Sequence, residues 1–348
     1  MNYKRRILAL RKQMAEEGLD SFLVTNEKNV SYLTGFQGED LALLFTKDKD
    51  YFITDSRYVE DAESSVKGFE IMLVELSNYE TLKALVGASR ARAMGFESMN
   101  LPYEVAAKLK TVLRGVKIAP YRSLVEILRA VKDPDEIAAI RSAIRCTKNV
   151  LKKTLAILRP GLTERFLAKQ IESKSLECGG RAAFDPIVAF GKNSSKPHAR
   201  ATDTKIGKVG HLMIDMGYRL NGYNSDYTRI VFLGRVKDRI KKIYDIVHNA
   251  QDAAFKMIRP GRKISEIDLA ARRHIQDAGF GKYFGHSLGH GVGMEVHEKP
   301  SISKINNNIL KPGMVFTIEP AIYIPKFGGV RIEDMVLVTA NGFEILTR

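Results

Sequence analysis

The stretch IDMGYRLNGYNSDYTR, residues 214–229, decides how the rest of this chain is read. Asn221-Gly222 is a strong two-residue hairpin signal, because the tight turn needs positive φ at both positions and Asn and Gly adopt it cheaply. With those two residues as the turn, Leu220 faces Tyr223 and, counting outward, Gly217 faces Asp226. Asp215 then lies on the same face as that pair, where diagonal neighbours have Cα atoms about 7–8 Å apart. A one-residue slip would send the two aspartates to opposite faces. Ile214, Met216, Ile230 and Val231 make the hairpin apolar and central. Two carboxylates buried there without partners would be costly, so a shared ion is expected between them.

Working outward, GHSLGHGVGMEVHEKP (285–300) gathers His286, His290 and His297 among glycines that let backbone approach a ligand closely. VFTIE (315–319) ends an apolar strand on Glu319. VRIEDMVLV (330–338) reads as one strand in which Glu333 shares a face with Arg331 and Met335, while Asp334 points the other way. Asp215, Asp226, His290, Glu319 and Glu333 form an oxygen-rich set with a single imidazole, which suits Mn²⁺, Co²⁺, Zn²⁺ or Fe²⁺. Four carboxylates carry more negative charge than one such ion needs. Two divalent ions sharing bridging carboxylates are therefore expected, an arrangement that serves hydrolysis.

The 348 residues suggest two domains, and an apolar content of 45% is ample for real cores. No apolar run reaches the roughly 18 residues of a membrane span. Met1 to Asp20 keeps its charges through Arg11, Lys12, Glu16 and Glu17, with Ile7, Leu8, Leu10 and Met14 at helical spacing. That reads as an amphipathic helix rather than a signal peptide. Cys146 and Cys178 have no CxxC partner and give no disulfide framework, which points to the cytoplasm. The net charge of +15 comes from scattered Lys and Arg, without a basic tail or nucleic-acid motif, so nucleic-acid binding is not expected.

Residues 1 to about 125 alternate helix and strand patterns, with strands expected over 20–25, 41–45 and 51–54 and helices over 59–65 and 80–86. In VKDPDEIAAI, Asp133 is a good N-cap and Pro134 fits the first turn of a helix running to about Leu158. The domain boundary falls near Val131. Beyond it, Ile157-Leu158-Arg159-Pro160-Gly161 returns as Met257-Ile258-Arg259-Pro260-Gly261, each time ending one helix and starting another. A duplicated pair of α/β halves with the site in the cleft between them is the reading.

The ligand runs IDMGYRLNGYNSDYTR, GHSLGHGVGMEVHE, TIEPAIYI and GGVRIED resemble the metal-binding pattern of the pita-bread metallopeptidases, the M24 family of methionine aminopeptidases, Xaa-Pro aminopeptidases and prolidases. The resemblance spans about Pro186 to Val338. KNVSYLTGF at Lys28 to Phe36 is similar to the creatinase/prolidase-type N-terminal domain, which methionine aminopeptidases lack, so the proline-directed branch is favoured. The implied fold class is α/β (α+β), with that N-terminal domain over residues 1–130 and a pita-bread catalytic domain with pseudo-twofold halves over residues 131–348. By position, Asp215 would hold one ion, Asp226 and Glu333 would bridge two, and His290 and Glu319 would complete the other. A water between the ions would be the nucleophile and Glu319 the proton shuttle. His198 and His297 would steady the scissile carbonyl, and His286 would line the proline pocket. Arg331, on the substrate side, would orient Glu333, with Tyr223 and Thr228 as supporting residues. The resemblance also implies a homodimer acting on small proline-containing peptides.

An Xaa-Pro aminopeptidase is the leading expectation and an Xaa-Pro dipeptidase (prolidase) the alternative. Some microbial prolidases carry an arginine directly after the HExP run, able to pair with a dipeptide carboxylate; here His297-Glu298-Lys299-Pro300 is followed by Ser301. A non-catalytic binding module is less favoured, since all five ligands are retained, and a metal-free amidinohydrolase of the creatinase kind does not need this ligand set.

Overall fold

The computed structural model describes residues 1–75 and 77–348, in two compact units, Met1–Arg129 and Ala130–Arg348. The first unit runs α1 (Tyr3–Glu16), β1 (Ser21–Val24), α2 (Glu27–Thr34), β2 (Ala42–Phe45), β3 (Asp50–Thr54), α3 (Val59–Ser65), β4 (Glu70–Leu73), α4 (Asn78–Ala88), β5 (Ala93–Glu97), α5 (Tyr103–Val112), β6 (Lys117–Tyr121) and α6 (Leu124–Arg129). Its sheet has the order β4-β3-β2-β1-β5-β6. All four residues of β1 are buried, as befits a central strand covered on both faces. Leu23, Leu44, Ile53, Met94 and Phe96 pack with Leu82, Val86 and Leu109 of α4 and α5 on one side.

The second unit opens with α7 (Pro134–Ala156), started by the capping box that Asp133 and Glu136 form and by Pro134 in the first turn. There follow α8 (Glu164–Glu177), β7 (Arg181–Ala182), β8 (Ile187–Phe190), β9 (Gly210–Met216), β10 (Tyr218–Leu220), β11 (Tyr223–Asn224), β12 (Tyr227–Leu233), α9 (Asp238–Phe255) and α10 (Ile264–Asp277). The chain ends with β13 (Gly289–Gly291), β14 (Glu298–Ile302), β15 (Val315–Ile318), β16 (Ala321–Ile324), β17 (Gly328–Arg331), β18 (Asp334–Val338) and β19 (Phe343–Ile345).

The internal echo is structural as well as textual. The α7–α8 and α9–α10 pairs turn at Gly161 and Gly261, whose φ angles are 94° and 81°. Each turn glycine donates its N–H across to an extended segment, Gly161 to Ile206 O and Gly261 to Leu310 O. Apolar residues at helical spacing on α9 (Ile240, Ile243, Val247, Ala250, Ala254) face Phe316, Ile318 and Val336, while Val150, Leu167 and Ile171 face Leu212 and Ile214.

Two expectations need correction. The hairpin is not one ladder: β9 pairs with β12 and β8 in one sheet, whereas the tip strand β10 pairs with β11 and β7 in another. The register is nonetheless the one counted from the turn, with Leu220 opposite Tyr223 and Asp215 opposite Thr228. The break falls at Gly217, where a Cβ would lie 2.3 Å from Ser225 O, so the two arms crowd too closely for any side chain. The expected strand 330–338 is also two strands. β17 pairs with β16 and β18 with β15, and the chain changes sheets at Ile332-Glu333.

Candidate metal centre

Each acidic ligand candidate sits where its strand is interrupted or ends. Asp215 lies near the end of β9, Asp226 in the break before β12, Glu319 directly after β15 and Glu333 between β17 and β18. Backbone freed from the ladder at such points lets side chains converge. Oxygen and nitrogen atoms of Asp215, Asp226 and Glu333 lie within 4.8 Å of one another, as do those of His290, Glu319 and Glu333. Glu333 is common to both groups. His290 Nε2 lies 3.2 Å from Glu319 Oε1 and 3.7 Å from Asp226 Oδ2. The five residues therefore surround one small volume.

The electrostatics show what that volume is suited to hold. Burial, then Asp215 beside it, pushes the Asp226 carboxyl well above the ordinary range; burial, then Asp226 and Glu319, does the same to Glu333. Asp215 is raised by burial in spite of its ion pair with Arg331. Burial would lower His290, but the Glu319 hydrogen bond and the nearby charges lift it to about 9. The same contact draws Glu319 below its usual value against the opposing effect of burial. Asp215 Oδ1 is buried with no hydrogen-bond partner. An orphaned carboxylate oxygen among carboxyls that resist ionisation is what divalent cations relieve, and the donor set fits hard or borderline ions.

The surrounding residues hold the ligands in place. Thr228 Oγ1 donates to Glu333 Oε2 at 2.7 Å and Arg331 Nε donates to Thr228 Oγ1 at 3.2 Å. Arg331, expected to orient Glu333, reaches it through Thr228; it also pairs with Asp215 and donates to Tyr323 Oη and Pro197 O. Because the chain changes sheets after β17, Arg331 and Glu333 do not share a strand face. Tyr223 donates to Glu136 at 3.1 Å.

Of the remaining histidines, His297 places its ring against His290 with centroids 3.9 Å apart, and its nitrogen is also within ligand distance of Asp226 and His290. His198 is exposed and close enough to His297 to lower its proton affinity, after burial and His290. His286 packs between Phe284 and Tyr323, with Nε2 buried and unpartnered.

Three supporting residues carry no sequence signal beyond a polar residue in a helix. Gln251, fully buried on α9, donates to Ile318 O at 3.0 Å and Ile332 O at 3.3 Å, the carbonyls directly before Glu319 and Glu333. Glu164, at the start of α8, accepts from Phe190 N, Asn193 and Thr202, fixing the loop that carries His198. Asp268 on α10 accepts from Leu288 N, two residues before His290.

The sequence pattern of metallopeptidase family M24 matches residues 138–340, and that of the creatinase/prolidase N-terminal domain matches residues 6–131. With the pita-bread architecture and the convergent acids and histidine, this places the chain in the M24 metallopeptidase family, in the branch that carries the creatinase/prolidase domain. Among its relatives is the Xaa-Pro dipeptidase of Pyrococcus furiosus, 34% identical over 348 residues and covering 99% of this chain and 98% of that one. The solved structure of an Xaa-Pro dipeptidase from Bacillus anthracis is 36% identical with a TM-score of 0.96, covering 100% of this chain and 98% of that one. An X-Pro aminopeptidase structure from Thermotoga maritima is 33% identical with a TM-score of 0.87, covering 95% and 96%. No helix among the described residues is long and apolar enough to cross a membrane.

Proposed function

We propose that this chain is a two-ion metallo-exopeptidase that hydrolyses Xaa-Pro bonds, with the dipeptide as its preferred substrate. The carrying observation is the convergence of Asp215, Asp226, His290, Glu319 and Glu333 on one volume. Asp215, Asp226 and Glu333 would hold one ion, and His290, Glu319 and the shared Glu333 the other. Mn²⁺ is the first candidate. Such ions supply a water that is nucleophilic near neutral pH and polarise a carbonyl.

The protein does the rest. Glu319, kept ionised by His290, is the group ready to accept and pass on a proton. His198 and His297, on the exposed side, are placed to hold the scissile carbonyl oxygen as charge develops on it. His286 with Phe284 and Tyr323 offers an aromatic wall suited to a proline ring. The Xaa-Pro bond has no N–H to recognise and restrains the residue before it, which favours a shaped pocket over an extended-strand site.

The preference for dipeptides draws on the relatives, two of the three named above being dipeptidases. It shifts weight from the aminopeptidase expected on the sequence to its alternative. Ser301 pairs with His290 across β13 and β14, so the missing cation would have stood beside the site; another base must meet the dipeptide carboxylate. The free thiols of Cys146 and Cys178 support a cytoplasmic setting, and a homodimer is part of the proposal. With Mn²⁺ added, Ala-Pro should be cleaved with kcat/KM at least about tenfold above Ala-Pro-Ala. Equal or better cleavage of the tripeptide restores the aminopeptidase, and inertness of both removes the proline-directed reading.

A further inference from the structure

Lys132 stands directly before the Asp133 cap of α7, and its side chain is wholly buried. Its Nζ donates to Glu298 Oε1 at 2.8 Å, and the Glu298 side chain is only 3% exposed. A buried ion pair is a weak source of stability, because the desolvation of both charges offsets their attraction; when one persists, a role in fixing a unique arrangement is the better explanation. Glu298 shows what is being fixed. Its second oxygen accepts from Glu295 N at 3.2 Å. Its carboxylate rests on Gly293, where an added Cβ would lie 2.3 Å from Oε1. On the far side, Gly293 O accepts from Asn224 N at 2.8 Å and from Asn224 Nδ2 at 2.9 Å. The turn between β13 and β14 is thereby gripped from two directions, by the hairpin tip through Asn224 and by the start of α7 through Lys132. His297 is the residue before Glu298, and its ring meets that of His290.

We propose that Lys132 is a positioning residue: by holding Glu298 against Gly293 it sets where His297 stands relative to His290 and to the substrate carbonyl. The proposal rests on the reading of His297 as a substrate-facing group. Lys132 touches no reacting atom. Its effect is geometric, and a misplacement of about 1 Å at such a group can cost about a hundredfold in rate.

The test uses the full chain. Lys132→Met removes one half of this ion pair, so it is made also as Lys132→Met/Glu298→Gln, which removes both halves. Glu298→Asp keeps both charges and pulls the turn by one methylene. In the variants that fold, judged by melting temperature and circular dichroism, kcat on Ala-Pro should fall about tenfold or more while KM changes less than about threefold. In the ion-free protein, the ¹H–¹⁵N signals of the His297 ring should move while those of His248 and His274 stay. A folded double variant or Glu298→Asp with a smaller loss in kcat, or with an unmoved His297 signal, overturns the proposal. The ring signals report on the turn even if no proline peptide proves to be a substrate, so failure of the proposed activity and failure of the positioning role are told apart.

Discussion

Thr228 stands between opposite charges, donating to Glu333 Oε2 and accepting from Arg331 Nε. Thr228→Val keeps the shape and strands both neighbours. Its stability cost should be about 1–3 kcal/mol in urea unfolding. Mn²⁺ affinity measured by calorimetry should fall about 10–100-fold; unchanged affinity would mean that Glu333 is held without it. At this scale the sequence was informative about which side chains converge and poor about their supports. Metal chemistry is written in residue types and spacing, so Asp215, Asp226, His290, Glu319 and Glu333, whose side chains the fold brings together, stood out in the sequence, and the hairpin count placed Leu220 opposite Tyr223. The direct pairing of Arg331 with Asp215 was not foreseen, because same-face logic holds only while a strand continues, and β17 ends at Arg331. Gln251, Glu164 and Asp268 were not legible, since a buried polar residue looks like any solvated one until its partners are known.

Among elements, α9 does more than cover the sheet. Through Gln251 it ties the ends of β15 and β17 together just before the two late glutamates. Gln251→Leu should cost about 1–3 kcal/mol, because the two carbonyls lose a donor in a dry interior. It should also loosen ion binding, read in the same titration; a stability loss with intact affinity would limit Gln251 to packing. Helices were read well from sequence: α3 falls at 59–65 as expected and α7 ends at Ala156 against an expected Leu158, because caps and periodicity are local signals. The strand breaks at Gly217 and Ile332-Glu333 were not seen. Apolar alternation runs straight through Gly217, the apolar residues resume directly after Glu333-Asp334, and which sheet a segment joins is decided by neighbours distant in sequence.

For the second unit as a whole, the balance of protons and cations at the centre sets stability. Asp226 and Glu333 are held well above their ordinary values of 3.8 and 4.5, first by burial and then by neighbouring carboxylates. A carboxyl raised in the fold contributes stability that is fully present below its unfolded value and is lost as pH rises through its folded value. The ion-free protein should therefore weaken from about pH 4 upward, whereas bound cations meet the ionised groups and remove that loss. The gap in melting temperature between Mn²⁺-loaded and chelated protein should widen between about pH 5 and pH 8; a constant or shrinking gap would contradict the charge balance described above. The broad architecture was legible because the Pro-Gly echo and the Asp133 cap mark its divisions.

The acids that meet in that centre come from four stretches of chain, each leaving its ladder at a different place between β9 and β18. No excised peptide or half-unit brings more than part of the donor set to one spot. Uptake of both cations is thus a gauge of the completed unit. A nascent chain cannot hold both ions until Glu333, the acid common to both groups, has emerged and docked, and a nick that frees its stretch should weaken both sites together.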